Sequence, residues 1–262
     1  MYKRTATLKK IHSAFSASRV SPYVRLAALF GFAIGLNLQA MAVRADVLNS
    51  VELLNQSQFN ELAESLGAAT HYKSIAPPET LGIIGFDIGV EVSSTDISGD
   101  LFDLASDGSF AGSELVIPRL HVHKGLPFGI DLGASMGAVQ DSDGRVFGAE
   151  VRFAIVEGGA VTPALGLRVS HSQVHGLDDL DFNSTGIELA VSKGFLFVTP
   201  YAGVGFLRSS AQPNDIASLA SKSVDQQKLV VGVTINFGFA LTLEVDRTDD
   251  YRTYSAKAGI RF

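Results

Sequence analysis

His121 and His123 are two residues apart, a spacing that turns both imidazoles to one face of a β-strand. Such a pair can bind a metal ion, with Asp87, Glu91 or Asp131 as candidate oxygen ligands on flanking strands. The stretch His171-Ser172-Gln173-Val174-His175-Gly176-Leu177-Asp178-Asp179-Leu180-Asp181 gathers imidazoles and carboxylates. These are the materials of general-base activation of water, or of a Ser–His–acid arrangement through His171 and Ser172. Asp96, Asp100, Asp103 and Asp107 form a third group, without the dense Asp-x-Asp-x-Asp-Gly order of a calcium loop. Each has a plainer account: two His in a polar interior, and two solvated acidic loops. The plainer accounts are preferred. No catalytic, cofactor-binding or metal-ligating residue is assigned.

Composition bounds the choice. The chain has 262 residues, 46% hydrophobic and 18% charged, with 26 Gly and neither Cys nor Trp. Without Cys there is no disulfide framework, thiolate metal site or Cys nucleophile. Lys and Arg number 21 against 27 Asp and Glu, the wrong balance for a nucleic-acid surface, so no nucleic-acid partner is expected. Mean hydropathy is +0.23, high for a soluble enzyme, yet only residues 26–38 are apolar enough to suggest a membrane helix.

Residues 1–45 contain Lys3, Arg4, Lys9, Lys10, Arg19, Arg25 and Arg44 and no acid. The apolar run 26–38 is followed by Ala40-Met41-Ala42 and Val43-Arg44-Ala45. A basic start, a short apolar core and a small-x-small site describe a cleaved signal peptide, cut after Ala42 or Ala45. The core is shorter than the ~20 residues a spanning helix needs. Its removal leaves an acidic exported chain of about −13. Residues 46–69 then read as a helix. Val51, Leu54, Phe59, Leu62 and Leu66 recur at near-helical intervals, with Gly67 as a stop and Pro77-Pro78 as a boundary. This helix could plug a barrel, lie in the periplasm or form a tail. The expected organisation is 1–45 signal peptide, 46–78 helix and linker, and 79–262 barrel.

From Leu81 onward the period becomes two. Ile84, Phe86, Ile88, Val90 and Val92 alternate with Gly85, Asp87, Gly89, Glu91 and Ser93, and nine similar runs follow. Ten runs predict ten strands. The connections between them alternate: 95–113, 171–183 and 208–227 are long, 140–144 is short and 247–252 medium, whereas 124–127, 157–162, 193–194 and Gly238, the even-numbered ones, are all tight. An up-and-down meander puts alternate connections at opposite ends, and outer-membrane barrels have short periplasmic turns and longer outer loops. An even strand count places both termini on the periplasmic side. Pro127, Pro163 and Pro200 each open a strand after a tight turn, where a missing N–H is tolerated.

A soluble barrel also alternates, and the polar parity separates the two cases. Here it carries many glycines, among them Gly133, Gly148, Gly166, Gly203 and Gly232, as a narrow interior requires. It also carries Asp87, Glu91, Asp131, Glu150, Glu188, Glu244 and Asp246 against Arg119, Arg152, Arg168, Lys228, Lys257 and Arg261. Charges this nearly balanced predict a filled, mutually paired lumen. The other parity is almost uncharged, as a lipid-facing wall must be. The fold expected is all-β: an up-and-down antiparallel transmembrane β-barrel of about ten strands with a short N-terminal helix.

Tyr254, Ala256, Ala258, Ile260 and Phe262 form the outward row of the last run. It resembles the terminal signal of outer-membrane barrels read by the barrel-assembly machinery, though Lys257 stands where a Gly is usual. The resemblance implies that machinery as a partner through Phe262, with outer-membrane lipid and lipopolysaccharide as surroundings. With no Trp, Phe and Tyr must form the aromatic girdles. The segment Ala76-Pro77-Pro78-Glu79-Thr80-Leu81-Gly82 to Phe86-Asp87-Ile88-Gly89-Val90-Glu91 resembles the start of an uncharacterised family of bacterial outer-membrane barrel proteins. That likeness extends from the helix near Phe59 onward and implies location more than activity. Ten-stranded surface proteases of the omptin type carry Asp and His pairs at the outer rim, but no omptin motif is present. The expected role is structural or interactive at the surface, without catalysis. The alternatives are a narrow pore for small solutes and a surface hydrolase using His171, His175 and Asp179.

Overall fold

In the computed structural model, Leu48 and residues 50–262 are described, apart from 109, 111, 140, 141 and 160. The signal peptide expected at 1–45 lies outside the described residues. Ten strands close into one antiparallel ring in sequence order. They are β1 (Phe86–Asp96), β2 (Glu114–Leu126), β3 (Ile130–Ala138), β4 (Arg145–Val156) and β5 (Ala164–His175), followed by β6 (Leu180–Ser192), β7 (Val198–Pro213), β8 (Lys222–Asn236), β9 (Ala240–Thr248) and β10 (Tyr251–Arg261). The expected up-and-down barrel is the fold observed. Its seam is β1 against β10. Phe86 and Phe262 exchange backbone N–H···O bonds of 2.7 and 3.0 Å there, and their rings meet edge to face.

One end of the barrel, here the turn end, holds connections 127–129, 157–163, 193–197 and 237–239 together with Phe86 and Phe262. The other, the loop end, holds 97–113, 139–144, 176–179, 214–221 and 249–250. Connection 97–113 contains a short helix, α2 (Gly99–Ala105), named in chain order after helix α1 below. The expected loops 171–183 and 208–227 are mostly strand: β5 continues to His175, β6 begins at Leu180, and the β7–β8 connection shrinks to 214–221.

The cause is an inversion of polarity along the strands. From the turn end, the outward row of β5 reads Leu165, Leu167, Val169, then His171, Gln173, His175; its inward row reads Gly166, Arg168, Ser170, Ser172, then Val174. On β6, Val191, Leu189 and Ile187 give way outside to Thr185, Asn183 and Asp181. Inside, Glu188 and Ser184 give way to Phe182 and Leu180. On β8, Leu229 gives way outside to Gln227, Asp225 and Ser223, and Lys228 inside to Val224. The half nearer the turn end is therefore apolar outside and polar inside, as lipid requires. The half nearer the loop end is polar outside and apolar inside, as water requires. The wall is a transmembrane barrel that continues past the bilayer as a water-surrounded one. Exposed Phe128, Phe195, Leu196, Phe197, Phe237 and Phe239 ring the turn end, the expected Trp-free girdle.

The apolar interior at the loop end is filled from within the chain. Leu115, Ile117, Val146, Val174, Leu180, Phe182 and Val224 of the wall pack with Phe59, Leu62 and Leu66, with Val51 and Leu54, and with Leu101 and Phe102 of α2. The segment that supplies Phe59 to Leu66 runs inside the ring. The ten strands begin and end together at the turn end, as an even count requires, while the first described residues of this segment lie at the loop end, opposite Phe262.

Candidate functional site

The site is the lumen and the segment that plugs it. Of the three placements open to the N-terminal helix, the plug is the one observed. Helix α1 spans Gln56–Thr70, starting later than the expected 46 because Asn55 caps it. The Asn55 side chain accepts from the Ser57 and Gln58 N–H groups, and Gln58 Oε1 accepts from Asn55 N–H, a reciprocal box. A 3-10 turn, Val51–Leu53, precedes it. Gly67 does not stop the helix. It lies within the last turn against the wall, where a Cβ would sit 2.5 Å from Gln226 Oε1 and 2.7 Å from Ser209 Oγ.

An α-helix leaves its last four carbonyls without intrahelical partners, at the negative end of its dipole. Here each is met. Gly67 O accepts from the His71 N–H and ring, Ala68 O from Lys73 Nζ at 3.0 Å, Ala69 O from Arg119 Nη2 at 2.8 Å, and Thr70 O from Ser172 Oγ at 3.0 Å. Two of those donors are cations, so the helix terminus is neutralised inside the barrel by its own segment and by β2.

Below the helix, residues 71–81 descend without regular structure, bonding to side chains of the wall. Lys73 Nζ donates to both Asp246 oxygens, at 2.9 and 3.1 Å, and to Thr253 Oγ1 at 3.1 Å. The Tyr72 hydroxyl meets His123 Nε2 at 2.8 Å, and Ser74 Oγ donates to Glu150. Arg168 donates to Ala76 O, Arg261 Nη2 to Glu79 O at 3.0 Å, and Leu81 N–H to the Asp131 carboxylate at 3.1 and 3.2 Å.

The charges read onto the polar parity line the lumen around this segment, most of them in ion pairs, with Asp131 and Glu244 bonded to neutral donors instead. Glu91 pairs with Arg119 at 2.9 Å and with His121; Glu150 with Arg152 and His123. Glu188 pairs with Arg168 at 2.7 Å and Lys228 at 2.9 Å, and Asp87 with Lys257 at 2.9 Å and Arg261 at 3.4 Å. Glu244 accepts from the Tyr201 hydroxyl at 2.5 Å. A void of about 20 Å³ bordered by His71, Tyr72, Ser74, Glu150, Arg168 and Lys228 has room for about one water molecule. Around this segment the described lumen side chains pack closely.

His121 and His123 do point into the lumen, with rings stacked 6.0 Å apart. Each serves a carboxylate on the network, Glu91 and Glu150 respectively; Asp87 and Asp131 are engaged elsewhere. Among the described residues no group of three or more His, Asp or Glu side chains is placed to hold a metal ion. His171 and His175 lie on the outward row of β5, where His171 bonds Thr185 Oγ1 at 2.9 Å and His175 meets the Phe147 ring. Ser172 faces inward, so His171 and Ser172 are on opposite sides of the wall. Asp100 and Asp103 fall on α2. Sequence reasoning missed Tyr72, Lys73 and Ser74. Their one signal was a Lys and a Tyr inside a stretch that otherwise read as linker.

Two features lead to measurable expectations. Gly148 makes room for Tyr72: a Cβ there would lie 2.5 Å from Tyr72 Cδ2 and 2.9 Å from Ser135 Oγ. Gly148→Ala is expected to cost about 1–3 kcal/mol as overpacking, read as a lower denaturant midpoint with unchanged slope. At the loop end, burial pushes the Asp179 carboxyl above its ordinary range, and the adjoining Glu52 carboxylate adds to the shift, while the Val51 N–H opposes it. A raised folded value means that the folded state holds the proton more tightly. The stability it confers is present below the unfolded pKa and lost as pH rises through the folded one. Docking of the Val51–Leu53 turn is therefore expected to tighten on acidification. Asp179→Asn, which keeps an acceptor for Val51, should slow amide exchange in this turn at neutral pH and remove that acid dependence.

No family model matches the chain, and no curated protein matches it. Among solved structures it is similar to the N-terminal β-barrel domain of Pseudomonas aeruginosa OprF, at 10% identity over 67% of this chain and 97% of that one, with TM-score 0.34. It is similar to Ail, the attachment invasion locus protein of Yersinia pestis, at 14% identity over 68% and 98%, TM-score 0.30. It is also similar to the KdgM porin, at 10% identity over 66% and 99%, TM-score 0.33. These neighbours are outer-membrane β-barrel proteins. At such scores the likeness carries no inference about what this chain does, which its own residues must supply.

Proposed function

We propose that the chain is an outer-membrane barrel with a closed lumen and a structural or surface-interaction role. The observation that carries this reading is the lumen itself, filled from end to end by residues 50–81 and by paired charges. A solute pore needs continuous water, and an ion entering here would have to break ion pairs already bonded to the plug. The apolar band and the Phe girdle fit contact with outer-membrane lipid. The polar wall above the band fits contact with lipopolysaccharide and with the medium. Phe262 on the last strand, paired with Phe86 at the seam, supports the reading that the barrel-assembly machinery engages that strand. In this reading residues 1–45 are removed as a signal peptide, 46–78 are the N-terminal helix and linker, and 79–262 the barrel. His171, His175 and Asp179 then belong to the water-exposed rim, with no catalytic part.

Two measurements test it. Outer-membrane fractions run on a gel unheated and boiled should show a heat-modifiable band; recovery in the soluble periplasm alone would reject the location. The purified protein in a planar bilayer should give no steady single-channel current. A stable conductance would establish the narrow-pore alternative in its place.

A further inference from the structure

Residues 50–81 touch the wall in unbroken order from one end of the barrel to the other. Leu81 meets Asp131 and Glu79 meets Arg261 near the turn end. Ala76 meets Arg168, Ser74 meets Glu150, and Thr70 meets Ser172 on the way up. Glu64 O accepts from Gln226 near the top of β8, and Glu61 O from Tyr251 at the top of β10. Gln56 exchanges two bonds with Ala220 in connection 214–221. Ser50 N–H donates to Ala105 O in connection 97–113, and Leu48 is buried in the loop-end core. The segment does not double back.

With the ten strands, this makes eleven passages of the same chain, and an odd number puts the two ends of the described chain on opposite faces. We infer that the barrel carries its own N-terminal segment across the membrane. The Ser50–Leu54 stretch then stands at the cell surface beside connections 97–113 and 176–179. This rests on the outer-membrane reading above and adds the direction and destination of the plug. The polarity inversion fixes which end projects. At the loop end the wall is polar outside and needs water around it, whereas the turn end finishes in exposed Phe and Leu at the lipid interface. A surface-borne Ser50–Leu54 stretch beside that rim is a site for recognition by an external partner, which neither a periplasmic plug nor a retracted tail could offer.

The native chain lacks Cys, so single-Cys variants of the full protein report position directly. Three exposed positions suffice: Glu52→Cys at the start of the plug, Asp215→Cys in connection 214–221, and Glu157→Cys at the turn end. Intact cells are treated with a polyethylene-glycol maleimide too large to pass the outer membrane, then compared with permeabilised cells. Expected is near-complete modification of Glu52→Cys and Asp215→Cys in intact cells, and of Glu157→Cys only after permeabilisation. Modification of Asp215→Cys without Glu52→Cys overturns the inference while leaving the barrel in place. Modification of Glu157→Cys alone in intact cells reverses the crossing and overturns it as well. If no position reacts in intact cells and the heat-modifiable band is missing, the outer-membrane reading fails and takes the inference with it. A variant is scored only if it retains that band or if all three lose it together.

Discussion

Lys73→Met is expected to lower the unfolding free energy by about 3–5 kcal/mol, the range for removing one partner of a buried ion pair. Lys73 and Asp246 have no exposed side-chain surface, and the ammonium also serves Ala68 O and Thr253 Oγ1. Without it, Asp246 keeps the Thr248 hydroxyl at 3.3 Å while its charge stays in the lumen. An apolar pair of similar volume needs no such neutralisation. The double variant Lys73→Met with Asp246→Leu should therefore recover much of the loss, and denaturant midpoints of the two singles and the double give the coupling directly. If the double loses the sum of both singles, the pair is not coupled and the ion-pair account of the plug's anchorage is wrong.

Phe59→Ala is expected to cost a similar amount, about 3–5 kcal/mol, by a different mechanism. Phe59 is fully buried where α1 meets Phe182, Leu62 and the loop-end core, and truncating a core Phe removes both transfer energy and packing. The loss should appear locally. The band-forming half of the wall holds its own ladders and ion pairs, so limited proteolysis should cut the N-terminal segment while the heat-modifiable gel shift persists. Loss of both together would mean that plug and wall unfold as one unit.

These two residues also mark what a sequence can and cannot show. The lumen was legible because charge and glycine fell on one parity. Arg119, Arg152, Glu150 and Asp246 are all where alternation places them. The upper wall was not legible, because its hydrophobic parity inverts: Val169 to His171 outside and Ser172 to Val174 inside reads as an end of alternation, hence a loop. The plug was legible only as a helix. Phe59, Leu62 and Leu66 gave its period. Residues 71–81 have none, since backbone groups of Ala76, Glu79 and Leu81 are satisfied by side chains from three different strands, and such bonding leaves no mark in the local sequence. Lys73, which bonds Ala68 O, Asp246 and Thr253, is a buried anchor of the plug that the local sequence does not reveal.

The seam at Phe86 and Phe262 encloses a thread, and this bears on how fast the molecule can come apart. The ring is closed by hydrogen bonds all round, and the helix inside it is about 22 Å long. Drawing that helix out of the lumen would break, in one event, the wall's bonds to its last carbonyls and the buried Lys73–Asp246 pair. Release of the segment is therefore governed by the height of an unfolding barrier as well as by equilibrium affinity.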